Sequence, residues 1–227
     1  MTATFVTATG TDIGKTFVTA GLIRLLRAYG RPVEALKPVV TGFDAGAPAA
    51  SDPGVLLTAL GRPPGAPDIE RIAPWRYSAP LSPDMAARRE NRPIDIDKLL
   101  EFCRCAVAAH RGTLLIEGIG GVMVPLDDRH TVLDWMALLK LPVLLVAGSY
   151  LGSLSHTLTA LEALKRRGLT VNALVINETP GSPVPLADTL LTLSRFAAPI
   201  MLLPRLPAGH TQHPAFGEIA AHLGSDR

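Results

Sequence analysis

Three short segments carry residue types that can handle a charged phosphate. The first, Ala8-Thr9-Gly10-Thr11-Asp12-Ile13-Gly14-Lys15-Thr16, follows a β-rich run and precedes a helical stripe. In that setting backbone N–H groups at a helix N-terminus converge on an anion, a lysine ammonium reaches the β and γ phosphates, and a threonine hydroxyl ligates Mg2+. Lys15 and Thr16 take those parts. The strict spacing G-x4-G-K-[ST] is not met, because Thr9 stands where the first glycine belongs. Ala8 would cost about 1–2 kcal/mol if its φ had to be positive, unless Gly10 absorbs the turn. The second segment, Thr113 to Gly118, ends an apolar run on Glu117, a carboxylate placed to complete a Mg2+ shell, with a strand-terminal solvated acid as the plain alternative. Ile119-Gly120-Gly121 then lets backbone approach a ligand at the carboxyl edge of a sheet. The third segment, Lys37-Pro38-Val39-Val40-Thr41-Gly42, sets a second ammonium beside the first. Two cations there are unfavourable without an anion between them, which points to a negatively charged reacting group near the γ-phosphate; otherwise Lys37 is a solvated surface lysine. Asp52, in Ser51-Asp52-Pro53, reads as a second metal carboxylate or, favoured by residue type, as a helix cap.

These residues need strand ends to stand on. Short β-rich runs alternate with helical patterns, the signature of an α/β fold with a mostly parallel sheet. Six strands are expected, at Thr4 to Ala8, Val33 to Lys37, Thr113 to Glu117, Val143 to Ala147, Ala173 to Asn177 and Pro199 to Leu203. Their near-continuous apolar character fits strands covered on both faces. Phe17, Ala20, Leu22, Leu25, Leu26 and Tyr29 form a helical stripe that stops at Gly30. Ser153 to Arg167 repeats that logic with Leu154, Leu158, Leu161 and Leu164 on one face. Asp95 to His110 is a further amphipathic helix. The stretch from Gly42 to Pro83 is rich in Gly, Pro and Ala, holds a short helix at Ser51 to Leu60, and reads as a functional excursion rather than a second core.

Composition sets the outer limits. At 227 residues the chain is expected to be one domain spanning 1–227. Hydrophobic residues are 48% and charged residues 19%, with a net charge of +2, so neither a disordered chain nor a polyanion partner is indicated. Nucleic acid is not an expected partner. The longest strongly apolar run, Leu141 to Ala147, is too short to span a bilayer, and the start lacks a basic stretch followed by an apolar one; a cytoplasmic protein without membrane contact is expected. Cys103 and Cys105 read as reduced, partly buried thiols rather than a disulfide. His210 and His213 have metal-like spacing but no evident third ligand.

Together the segments resemble the dethiobiotin synthetase family, ATP-dependent carboxylases that close the ureido ring in biotin synthesis. The resemblance runs through Val6 to Thr16, Lys37 to Gly42, Ser51-Asp52, Pro80 to Pro83, Ile116 to Gly121, Leu151 to His156 and Val175 to Asn177, in matching order and spacing. Departures are Ala8 for glycine, Ile119 for alanine, Ser155 for asparagine, and Asp84 where histidine is common. The resemblance implies a three-layer P-loop NTPase-like fold with helices on both faces of the sheet. It implies nucleotide contacts at Thr11, Asp12, Ile13, Gly14, Lys15, Thr16, Phe17, Glu117, Asn177, Pro204 and Leu206, with Asn177 reading the adenine edge. Mg2+ would be held by Thr16, Asp52 and Glu117. Thr11, Lys37 and Thr41 would face 7,8-diaminononanoate, and Gly152, Ser153, Leu154 and Ser155, opening a helix, would take its far carboxylate from the second subunit of a homodimer. Lys37, Lys15 and Thr11 are the implied catalytic residues, acting on ATP, the diamine and CO2 or bicarbonate. Ser155 reaches less far than the family's asparagine, and so bears on one substrate contact.

The rival reading is a partitioning-type P-loop ATPase that uses ATP to control dimerisation. Such proteins carry a lysine early in the loop, and Ala8, Thr9 and Gly10 supply none. A GTPase would need Asn-Lys-x-Asp, which Asn177-Glu178-Thr179-Pro180 is not. A binding module with a degenerate site is the third reading, motivated by Ala8 and Ser155.

Overall fold

The computed structural model describes residues 2–197, 199–207 and 209–223. Six strands form one all-parallel sheet: β1 (Thr2–Ala8), β2 (Val33–Leu36), β5 (Thr113–Glu117), β6 (Val143–Gly148), β7 (Val171–Asn177) and β8 (Ile200–Leu203). Their order is β2-β5-β1-β6-β7-β8. The chain runs outward from β1 in one direction, returns, and then runs outward in the other, leaving a crevice at the carboxyl ends beside β1. Successive residues of a strand face opposite sides, and Thr4 through Ala8 are all at most 1% exposed, so both faces of β1 are covered. The edge strand β8 alternates between buried and partly exposed positions. All six expected strands are present, shifted by a residue or two at their ends.

α1 (Lys15–Ala28) lies over β1, β2 and β5. Val18, Leu22, Ile23 and Leu26 make its buried face, whereas Tyr29, expected in the stripe, caps the helix and is 69% exposed. α5 (Ile96–Ala109) and α6 (Val132–Leu139) pack together, and Trp135 of α6 meets Phe5 of β1 edge-on at 4.8 Å and 90°. Such a pair adds about 0.5–1.5 kcal/mol to its area burial. α7 (Ser153–Arg166) confirms the expected helix and one edge of its face: Ser153, Thr157, Ala160 and Leu164 are buried, while Leu154, Leu158 and Leu161 are only partly so. Small residues let the helix sit close to the sheet. α8 (Leu186–Leu193) and α9 (Ala215–Ala221) follow, α9 lying against α1.

Between β2 and α5 the excursion is built, not loose. It contains β3 (Val39–Val40), a 3-10 turn at Pro48–Ala50, α2 (Asp52–Ala59), α3 (Ala66–Ile72), β4 (Trp75–Arg76) and α4 (Pro83–Arg89). Pro38 accepts from Trp75 N through its carbonyl, and β3 and β4 pair in parallel as a second, two-stranded sheet. Leu56, Leu57, Ile69 and Ile72 are buried within the same core as the main sheet. Burial of these four offsets the ordering cost of a Gly- and Pro-rich stretch.

Cys103 is buried, with its thiol pushed up to about 12 by burial, whereas Cys105 is exposed rather than partly buried. Among the described residues no helix is long and apolar enough to cross a membrane, and no group of three or more His, Cys, Asp or Glu gathers as a metal site. His213 instead accepts from Ala215 N at the start of α9.

Candidate active site

The loop from Thr9 to Gly14 joins the end of β1 to α1. Its left-handed positions are Asp12 (φ 58°) and Gly14 (φ 99°). Ala8 stays in the strand, so the strain considered for it does not arise. Gly14 cannot carry a side chain, because a Cβ there would run into the Asn177 carboxamide as well as the unfavourable φ. Asn177, at the end of β7, donates to Ile13 O at 2.9 Å and so braces the loop from the far side. One N–H and the carbonyl oxygen of its carboxamide remain for a ligand.

The loop opens on a cavity of about 530 Å³. Thr11, Asp12, Gly14, Lys15 and Thr16 form one wall. Lys37, Val40, Thr41 and Gly42 form another, with Ala50, Ser51 and Asp52 from the excursion, and Ile119 and Gly120 beyond β5. Three expected segments therefore meet at one crevice.

Lys15 folds back on its own loop, Nζ donating to Gly10 O at 3.1 Å and to Gly120 O at 2.8 Å. Burial and the neighbouring Lys37 charge bring its pKa down to about 8 against the partial pull of Glu117 and Asp52. Lys37, one residue past β2, is essentially inaccessible. Its Nζ donates to Gly118 O at 2.7 Å and Glu117 Oε1 at 2.8 Å, and pairs with Asp52 Oδ2 at 3.1 Å. Burial alone would depress it, but the two carboxylates outweigh that and hold the ammonium above the usual lysine range. The anion expected between the two lysines is thus supplied by the protein itself. The solvated-lysine alternative for Lys37 and the solvated-acid alternative for Glu117 both fail on burial.

Asp52 is not the helix cap. Ser51 caps α2, its Oγ accepting from Gly54 N at 3.3 Å, and Asp52 sits in the first turn with its carboxylate turned to Lys37. Burial would raise Asp52, yet the Lys37 ammonium beside it brings it below the ordinary aspartate value. Thr16 Oγ1 donates to Glu117 Oε1 at 2.7 Å. Glu117 Oε2 is buried without any partner. A hydroxyl and two carboxylates, one of them with a bare buried oxygen, form a hard-oxygen set that fits Mg2+, which keeps water and phosphate oxygens as its other ligands.

Other expected residues lie elsewhere. Phe17 packs against Phe216 at 5.9 Å and does not line this cavity. Pro204 and Leu206 follow β8 in a segment tied to the end of β7 by Arg205 N donating to Glu178 Oε2 at 2.8 Å; neither lines it. Gly152, Ser153, Leu154 and Ser155 also stay outside it. Gly152 (φ 97°) opens α7 without a side-chain cap, Ser153 Oγ is buried without a partner, and the adjoining Leu151 is 81% exposed. What sequence reasoning missed is mainly backbone: the carbonyls of Gly10, Gly118 and Gly120 that hold the two lysines. Carbonyls carry no residue-type signature, and only the glycine run hinted that backbone comes close there.

A family model described as an AAA domain matches residues 2–210. A protein of Acidiphilium cryptum called ATP-dependent dethiobiotin synthetase BioD is 50% identical over 192 residues, covering 84% of this chain and 86% of that one. A protein of the same description from Caulobacter vibrioides is 50% identical over 208 residues, covering 90% and 93%. Among solved structures, the cell division ATPase MinD of Pyrococcus furiosus superposes with a TM-score of 0.60 at 21% identity, covering 98% of both chains. MinD of Pyrococcus horikoshii, complexed with Mg-ADP, gives 0.59 at 19% identity, covering 96% and 93%. At such identity these structures speak to the fold: a P-loop NTPase-like α/β architecture.

Proposed function

This chain belongs to the dethiobiotin synthetase family, and from that membership we propose how its cleft performs the ATP-dependent ring closure of biotin synthesis. The observation that carries the reading is the convergence of Lys15, Lys37 and Asp52 on one cavity at the carboxyl ends of β1 and β5, with Glu117 buried behind it and bonded to Lys37 and Thr16. The rival partitioning reading has no use for a second buried lysine and a site open to a small molecule, and the family membership disfavours it.

The substrates on this reading are ATP, CO2 and 7,8-diaminononanoate. One amine adds to CO2 with loss of a proton, giving a carbamate anion. A carbamate oxygen attacks the γ-phosphorus, the bond to the bridging oxygen breaks, and ADP leaves. The second amine then attacks the carbonyl of the carbamic-phosphoric anhydride; the C–O bond breaks, phosphate departs, and the nitrogen loses its proton as the cyclic urea closes. Lys37 holds the carbamate anion, and Thr11 and Thr41, which both line the cavity, hydrogen-bond the diamine. Lys15 and the N–H groups opening α1 hold the phosphates and offset charge on the group in transit. Thr16, Asp52 and Glu117 hold Mg2+, which when bound offsets charge on the triphosphate. Asn177, with Pro204 and Leu206, faces the adenine side, and Ile13 and Phe17 shape the loop behind it. No nucleophilic side chain is required.

Ser153 at the start of α7 supplies the type of anion site that the substrate's far carboxylate needs. Because residues 152–155 stay outside the cavity of their own chain, we assign them to the cavity of a second copy, which makes the working unit a homodimer with shared sites. The reading places the enzyme in the cytoplasm as one P-loop domain. It is tested by ADP release, which is expected to need the diamine, Mg2+ and bicarbonate together. Equal turnover without the diamine rejects the reading in favour of a partitioning-type ATPase.

A further inference from the structure

The proposed carbamate-binding lysine has nothing left to bind with. An ammonium has three N–H donors, and Lys37 directs its Nζ at three acceptors: Gly118 O at 2.7 Å, Glu117 Oε1 at 2.8 Å and Asp52 Oδ2 at 3.1 Å. The acceptors are the same carboxylates that fit a divalent cation. Glu117 Oε1 is engaged by both Lys37 and the Thr16 hydroxyl, whose lone pairs stay free for a metal. Only Glu117 Oε2 is bare, buried and without a partner. Across Lys15, Lys37, Asp52 and Glu117 the formal charges cancel, and Asp12 on the cavity wall adds one negative charge, so the two ammoniums are already balanced before any ligand arrives.

A divalent cation held by Thr16 Oγ1, Asp52 and the bare Glu117 Oε2 would draw on the carboxylates that now hold Lys37, and would repel the ammonium at close range. We propose that Lys37 is the counter-ion of the cation-free site, and that arrival of the divalent cation with the nucleotide expels its ammonium from Glu117 and Asp52. The released N–H donors then turn into the cavity beside Thr41, where an anionic substrate group meets them. Lys37 is in this way disarmed until metal and nucleotide are in place, so the carbamate is held only when there is a phosphoryl group for it to attack. The inference rests on the proposed function for the identity of that anion, but not for the exchange itself.

The exchange is read directly on the lysine ammoniums of protein labelled with 15N-lysine, with the Lys37 signal assigned by its loss in Lys37→Arg. Buried and held by two hydrogen bonds and an ion pair, Lys37 is expected to give a slowly exchanging resonance in the free protein. Addition of Mg2+ with the non-hydrolysable analogue AMP-PNP is expected to shift that signal and speed its hydrogen exchange about tenfold or more, whereas AMP-PNP with EDTA leaves it in place. A Lys37 signal unchanged while Mg-AMP-PNP is bound overturns the proposal. As a second measurement, Mn2+ binding to nucleotide-free protein is followed by paramagnetic resonance. Lys37→Met is expected to bind Mn2+ about tenfold or more tightly than wild type, since a competing charge is gone. Equal affinities also overturn the proposal, and should Lys37→Met not fold, the wild-type resonance decides alone. Failure of the exchange with ADP release still dependent on the diamine removes only this inference; loss of that dependence removes the functional reading instead.

Discussion

Lys15 and Lys37 hang from one turn: Lys15 Nζ donates to Gly120 O at 2.8 Å and Lys37 Nζ to Gly118 O at 2.7 Å. Two ammoniums from different elements are thus held by carbonyls two residues apart, yet their situations differ. Lys37 has two carboxylates against it and stays charged, while Lys15 has only carbonyls as partners and bears the cost of burial beside a like charge.

That asymmetry gives nucleotide binding a pH signature. With its pKa at about 8, Lys15 of the free protein is half neutral near that pH, and a phosphate beside it favours the charged form. Binding therefore takes up a proton at pH values from about 8 toward the ordinary lysine range, and affinity falls as pH rises through about 8. Calorimetric titration of ADP at pH 8.5 in two buffers of different ionisation enthalpy is expected to show net proton uptake that Lys15→Met abolishes. Identical apparent enthalpies in the two buffers would contradict it.

Gly14 is tight for two separable reasons, its φ of 99° and the Asn177 carboxamide standing where a Cβ would go. Gly14→Ala is expected to weaken ADP binding by about 1–3 kcal/mol, the usual cost of a strained backbone position. Asn177→Ala removes the side-chain clash but also the brace on Ile13 O. The double variant is expected to bind ADP better than the sum of the two single losses allows, because the residues touch. Strict additivity would mean that the clash is not what Gly14 avoids.

Much of this arrangement can be read along the chain, and what cannot has identifiable causes. Strands such as Leu114 to Ile116 and Val143 to Ala147 announce themselves because a strand covered on both faces must be apolar throughout. Lys15, Thr16 and Glu117 follow from their places at strand and helix ends. Asp52 was harder: its residue type suits a cap, and only the three-dimensional approach of α2 to Lys37 shows that Ser51 does the capping and leaves Asp52 to the site. On α7, leucine periodicity found one edge of the buried face, with Leu164 buried and Leu154, Leu158 and Leu161 partly so, while close approach to a sheet selects small residues such as Ser153 and Ala160 for its centre. The excursion shows only its short helix in sequence because Gly, Pro and Ala dominate its composition, whereas the rest of its order rests on long-range contacts that composition does not encode.

Leu57 tests that last point. It is fully buried on α2, within the excursion, in the same cluster as the strands of the main sheet. A merely draped loop would tolerate its truncation. Leu57→Ala is expected to cost about 2–5 kcal/mol, as a core leucine does. In urea titrations this would lower the unfolding midpoint while leaving the slope unchanged. A loss below about 0.5 kcal/mol, the range of ordinary surface substitutions, would show that the excursion contributes nothing to the core.

Ser51 links stability to the site. Its Oγ accepts from Gly54 N at 3.3 Å and donates to Pro48 O at 2.6 Å, joining the 3-10 turn to the first turn of α2. Those two contacts fix the helix start, and the helix start aims Asp52 at Lys37 across 3.1 Å. Ser51→Ala removes both, at an expected cost of about 1 kcal/mol. Were Ser51 only a cap, Ser51→Asn, which can still accept from Gly54 N, would restore stability and leave Mg2+ dependence as in wild type. Because the bond to Pro48 O also sets the direction of α2, Ser51→Asn is expected to recover the unfolding midpoint but to need more Mg2+ for half-maximal ADP release. Full recovery of both would reduce Ser51 to a cap and detach it from the placement of Asp52.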